Sequence, residues 1–291
     1  MKFLFFLLTI TASGATLVDV VRDSLAHNDF PRAAEILRSY RAARGVTPEV
    51  VEALSWMARG DLAQKNLVQA DKDAQETYKL ALEQMKTYPL SRSGNLQIAL
   101  GGAIEVEANV LATRGQRAEA VTYLREQLKT YYATPLRPRI QKNINLLSLE
   151  GKRAPALQGV TIPPGKPVLL FFWAHWCSDC KYEIPILSRI KAEFVPKGLA
   201  FIAPTEKFGY VAGGEDAPPE VEVRYIEQVR QQFYGSLIDG PALINEENFS
   251  RYGASTTPTF ALIDRNGIVR MYHPGGITYD ELRPRVEALF R

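Results

Sequence analysis

The chain has 291 residues, 46% hydrophobic and 23% charged, which fits two globular domains and excludes disorder as the main state. Its 35 Lys and Arg against 32 Asp and Glu leave a net charge of +3, too balanced to argue for a nucleic-acid partner. Two Cys and three His exclude a multi-disulfide scaffold and all but exclude a Cys/His structural zinc site, and no apolar run is long enough for an ordinary transmembrane helix.

Residues 1–15 read as a signal peptide. Lys2 precedes the short apolar run Phe3–Ile10, and the small residues Ser13 and Ala15 suit the positions before a peptidase cut. The competing readings are a buried N-terminal strand and an uncleaved anchor. The expectation is an exported chain, periplasmic or extracellular, beginning near Thr16, in surroundings where disulfide chemistry persists.

Residues 16–150 are rich in Ala, Leu, Glu, Gln, Lys and Arg and read as helices. Asn28–Leu37 and Gly115–Leu124 share a layout, a turn leading into an amphipathic helix, and a third helix is expected around Gln75 to Lys86. Both segments resemble the turn and second helix of a tetratricopeptide repeat. The spacing of the matching Ala33 and Ala120 is not a multiple of that repeat's period of about 34, so the expectation is tetratricopeptide-like helical hairpins. Such hairpins stack and leave a concave surface for a protein partner, or they form a structural cap on the other domain.

The character changes near residue 150. Gly151–Val168 carries Pro155, Pro163, Pro164 and Pro167 and reads as a linker with an edge hairpin. Residues 151–291 then read as a mixed α/β domain. Val168–Ala174 is a continuous apolar run, as in a strand buried on both faces, and Leu199–Ala203 is a second. Thr205–Glu220 is expected to be loop, followed by a helix with Ile226, Val229 and Phe233 on one stripe. Thr259–Asp264 and Ile268–Tyr272 flank a turn and predict a β-hairpin. The last helix opens on a capping box, Thr278 with Glu281.

The chemistry lies in Trp176-Cys177-Ser178-Asp179-Cys180, placed between a buried strand and a helix. A thiol at a helix start faces unpaired N–H groups and the positive end of the dipole, so the Cys177 thiolate is favoured, although Asp179 opposes this. Thiolate is the species that attacks a disulfide, and Cys180, one turn on, is placed to resolve the mixed disulfide. Cys177 is therefore expected to be the more exposed and more acidic thiol. The alternatives are a purely structural disulfide and half of a zinc site with His175 nearby.

On these residues the domain resembles the TlpA/ResA type of exported thioredoxin-fold thiol–disulfide oxidoreductases. The match runs through Phe171-Phe172-Trp173-Ala174, Trp176 to Lys181, Glu183 and Pro185, then Gly253, Thr257-Pro258-Thr259-Phe260, Leu262-Ile263-Asp264, Gly267 and Ile268. The resemblance implies a central sheet flanked by helices and dithiol–disulfide exchange at Cys177 and Cys180, with no cofactor or metal. It assigns Thr257–Pro258 to a cis-proline loop that docks substrate, Glu183 to proton movement, Pro185 to a helix kink and Trp176 to a contact surface beside Cys177. It implies protein disulfide or dithiol substrates and an electron donor. The sequence departs from the pattern in Ser178-Asp179, where a proline is common, and in the apparent insertion at Thr205–Glu220. The leading expectation is a reductant of specific exported partners. The alternatives are a peroxiredoxin-like peroxidase, whose Pro-x-x-x-Thr-x-x-Cys pattern is missing before Cys177, and a non-catalytic adaptor.

Overall fold

The computed structural model describes residues 14–291; the expected signal peptide falls almost wholly outside them. The described chain divides into two units. One runs to Gln127 and takes in Ala133–Leu136; the other holds Leu128–Tyr132 and Arg137–Arg291. Among the described residues no helix is long and apolar enough to cross a membrane.

The first unit is helical: α1 (Leu17–Ala26), α2 (Phe30–Arg44), α3 (Pro48–Ala63), α4 (Leu67–Met85), α5 (Gly94–Thr113) and α6 (Arg117–Thr130), the last of which runs into the division. Side chains cap α1, α2, α3 and α5. Thr16 forms a capping box with Asp19, and Asp29, Thr47 and Ser93 each accept an N–H of the first turn. Leu17, Val21, Ala33, Val50 and Ala53 are buried together where α1, α2 and α3 meet. The two segments with a shared layout are the entries to α2 and α6, and the helix expected around Gln75 is the second half of the 19-residue α4.

The second unit begins with α7 (Arg137–Ser148). In sequence this helix reads with the helical half. In the fold Asn145, buried on α7, donates through Nδ2 to the Tyr252 carbonyl at 2.9 Å, and the next turn brings Leu149 into an apolar cluster with Phe249 and Tyr252. The break in composition near residue 150 thus marks where strands begin, while the packing division lies before α7.

The remaining elements are β1 (Val168–Phe172), α8 (Ser178–Tyr182), α9 (Ile184–Phe194), β2 (Ala200–Ile202), β3 (Pro204–Thr205), α10 (Pro219–Tyr234), β4 (Leu243–Ile244), α11 (Glu246–Tyr252), β5 (Thr259–Ile263), β6 (Val269–Pro274) and α12 (Tyr279–Ala288). The main sheet has the order β2-β1-β5-β6, with β1 and β2 parallel and the other pairs antiparallel. Its two faces follow the alternation of β1. Leu169 and Phe171 point to one core with Leu187, Ile190, Ile226 and Leu282, whereas Val168, Leu170 and Phe172 point to the other with Phe249 and Tyr252. The hairpin β5–β6 and the capping box of Thr278 with Glu281 are present, and α12 continues through Pro284.

Two local expectations are corrected. Gly151–Val168 makes no hairpin; its one bridge, Arg153 to Ile268, lies against the rim of β6, because four prolines remove ladder donors. Thr205–Glu220 is not plain loop. It begins on β3, which pairs with β4, and turns back on itself through the Tyr210–Asp216 bridge.

Candidate active site

Chain direction places the site. β1 is followed by Trp173, whose ring N–H reaches the Ala203 carbonyl at 3.2 Å and whose backbone N–H reaches Pro204 O at 3.1 Å, so the turn after the strand is fixed to the neighbouring strand end. Cys177 N–H then closes on Ala174 O at 3.1 Å, and Cys177 becomes the N-cap of α8. Its sulfur accepts the Cys180 N–H at 3.0 Å. Once the disulfide is reduced, a thiolate in that role would sit at the positive end of the helix, where negative charge is favoured.

Cys177 and Cys180 form a disulfide, with S–S 2.13 Å and Cα–Cα 5.3 Å. Exposure is 2% for Cys177 and 0% for Cys180, so in this oxidised form both sulfurs are buried and the expected contrast in access is slight. The neighbouring Trp176 is 49% exposed and is the half-open side of the site.

Glu183 stands at the junction of α8 and α9, where Pro185 follows in the first turn and the two helices meet at a break. Its side chain is buried. Oε1 accepts the Ile277 N–H at 3.1 Å, while Oε2 has no hydrogen-bond partner among the described residues. Burial pushes the carboxyl above its ordinary range, against the bond from Ile277.

The Thr257–Pro258 peptide is cis. Phe172 pairs with Thr259, so this loop sits at the same end of the sheet as the turn that carries the cysteines. The Pro258 carbonyl accepts the Gly275 N–H at 2.8 Å. The segment after β6 therefore touches both neighbours of the site: Gly275 holds the proline loop and Ile277 holds Glu183. Gly276 lies between them, and a Cβ there would come within 2.8 Å of Glu183 Oε1. Thr257 Oγ1 is buried without a hydrogen-bond partner among the described residues.

His175 faces a carboxylate. Its ring is buried among Phe208, Tyr210 and Tyr225, with centroids 5.5, 5.5 and 5.3 Å away, and Nε2 faces Glu222 Oε1 at 3.3 Å. Among the described residues no group of three or more metal-binding side chains occurs. Glu222 on α10 is 1% exposed and accepts the N–H groups of Phe208, through Oε1, and of Gly209, through Oε2 at 2.9 Å. Burial holds the His175 ring below its ordinary pKa, with the contact to Glu222 opposing. Glu206, in the same segment, is pushed up to about 8 by burial and by the charges of Glu246 and Glu222. Sequence reading passed over Glu222. The available signal was position: Glu222, Ile226 and Val229 share one helical stripe, and a carboxylate on an apolar stripe needs a buried partner.

Residues 159–290 match the family model of a thioredoxin-like domain. Relatives include the thiol-disulfide oxidoreductase ResA of Geobacillus thermodenitrificans, 28% identical over 127 residues that make up 43% of this chain and 64% of the relative. Another is the thiol:disulfide interchange protein DsbE of Escherichia coli, 30% identical over 129 residues, 44% of this chain and 58% of the relative. The chain thus spans less than two thirds of the length of both. A solved thiol:disulfide interchange protein of the thioredoxin family from Chlorobium tepidum aligns with a TM-score of 0.37 at 18% identity, over 49% of this chain and 98% of that one.

Proposed function

We propose that this chain, whose residues 159–290 are a thioredoxin-like domain related to the ResA and DsbE thiol–disulfide oxidoreductases, is an exported reductant of disulfides in specific partner proteins. The observation that carries the reading is the sulfur of Cys177 acting as N-cap to the helix that holds Cys180, with the two joined as a disulfide. In the reduced protein the Cys177 thiolate attacks one sulfur of the partner disulfide. A Cys177–partner bond forms, the partner S–S bond breaks, and one partner thiolate leaves. Cys180, deprotonated, attacks Cys177 Sγ, regenerating the Cys177–Cys180 disulfide and releasing the second partner thiolate. Two electrons pass to the partner, and a separate dithiol donor must restore the pair. Glu183, buried with a raised pKa, is suited to exchange the proton of Cys180, the residue one turn before it. Trp176 and the Thr257–Pro258 loop supply the docking surface. Export through residues 1–15 and partner selection by the helices of residues 16–150 complete the proposal.

The test is turnover of a small disulfide with dithiothreitol as donor, together with trapping. Cys177→Ser should abolish turnover, and Cys180→Ala should accumulate mixed disulfides on Cys177. Turnover that survives Cys177→Ser would refute the reading.

A further inference from the structure

Glu222 is an expensive residue. A carboxylate that is 1% exposed must recover several kcal/mol of lost hydration through its contacts. Here every contact is spent on the surroundings of the cysteines. Phe208 N–H and Gly209 N–H bind its two oxygens, and His175, two residues before Cys177, faces it through Nε2. The consequence is the placement of one side chain. The Phe208 ring meets the Trp176 ring edge to face at 5.5 Å, meets His175 at 5.5 Å and rests on Phe249 at 6.2 Å. Trp176 is half exposed and Phe208 is partly exposed. The two rings pack together next to the turn that carries Cys177.

We propose that Glu222 is a positioning residue for the exchange reaction. By gripping the Phe208–Gly209 backbone it sets Phe208 against Trp176, and the resulting pair of rings selects partners with an aromatic or large apolar side chain beside the reacting cysteine. A carboxylate is required because the two N–H donors reach its two different oxygens, and an amide in the same place would turn its NH2 toward one of them. The inference rests on Cys177 as the exchanging cysteine.

The experiment uses the full chain, with dithiothreitol as donor and two disulfide-linked peptides differing only in Phe or Gly next to the cysteine. Wild type should favour the Phe peptide in kcat/KM by about threefold to tenfold, the range of an aromatic contact, with the difference in KM. Glu222→Gln and Phe208→Ala should each bring the ratio to about 1. The double variant should fall no further, because both act through one ring. A ratio near 1 in wild type, a preserved ratio in either folded variant, or a double variant that multiplies the two losses overturns the proposal. Should Glu222→Gln fail to fold, Glu222→Asp takes its place: it keeps the charge but shortens the reach to the Phe208 and Gly209 N–H groups, so it should also bring the ratio to about 1, and a preserved ratio overturns the proposal. Wild type that reduces neither peptide would instead refute the exchange reading itself.

Discussion

Replacing Gly253 with Ala tests the packing that supports the proline loop. Gly253 ends α11 with φ 61° and ψ 37°, its N–H bonded to Phe249 O and Ser250 O, and Thr257–Pro258 follows four residues later. A Cβ at this position would overlap Lys142 N and lie 2.6 Å from Lys142 Cα and 2.7 Å from Gln141 C, all backbone atoms of α7. Backbone cannot rotate aside as a side-chain end can, so α7 and α11 must separate. The left-handed conformation costs about 1–2 kcal/mol for Ala, and overpacking adds about 1–3 kcal/mol. Gly267→Ala is the control. Its φ is 77°, but the nearest atom to an added Cβ is Arg153 Nη1 at 3.8 Å, so it carries only the backbone cost. The difference between the two variants is thus about 1–3 kcal/mol, from the close approach alone. Urea unfolding in a Trp56→Phe background gives the comparison, since the remaining Trp173 and Trp176 both report on the second unit. A difference below about 0.5 kcal/mol would refute the argued contact between Gly253 and α7.

Three further outcomes follow from the same geometry. A fragment beginning at residue 151 loses buried Leu149, the Asn145 bond to Tyr252 O and the Glu150 bond to Tyr272 N, so it should be less stable than one beginning at 137 by about 3–6 kcal/mol in urea; equal stability would show that α7 is dispensable. Glu206, raised from 4.5 to about 8, keeps a proton in the folded chain that the unfolded chain releases, so between those values stability should fall as pH rises, by at most about 1.4 kcal/mol per pH unit. Glu206→Gln should flatten that fall in denaturation series at about pH 5 and about pH 8, and an unchanged slope would assign it to another group. Glu183→Gln should slow exchange severalfold and remove an inflection above the ordinary carboxyl range from its pH profile; a profile identical to wild type would leave Glu183 with a structural role only.

What was legible in the sequence was local. The run Val168–Ala174, the turn between β5 and β6 and the capping box at Thr278 announce their structure within a few residues, because burial, turn geometry and capping are decided at that range. The cysteine pair is legible for the same reason: three residues of helix set both the spacing of the sulfurs and the N-cap contact. α7 was legible as a helix but not as part of the second unit, since its own periodicity says nothing about Tyr252 more than 100 residues on. His175 shows the same limit. Beside two cysteines it suggests a metal, yet a partner 47 residues away takes its ring nitrogen.

The non-local contacts share a direction. Glu183 meets Ile277, Pro258 meets Gly275, and Glu222 meets Phe208 and Gly209, so these two carboxylates, and the carbonyl of the cis proline, are bonded by backbone N–H groups of a neighbouring segment. Backbone donors carry no side-chain signature, and the two segments that supply them, residues 208–209 and 275–277, read only as Gly-containing turns. The cysteine pair can therefore be read from residue type and spacing, whereas its surroundings cannot. Substitution of the acids, rather than of the turns, is the informative perturbation, because it removes the acceptor while leaving the turn sequence intact.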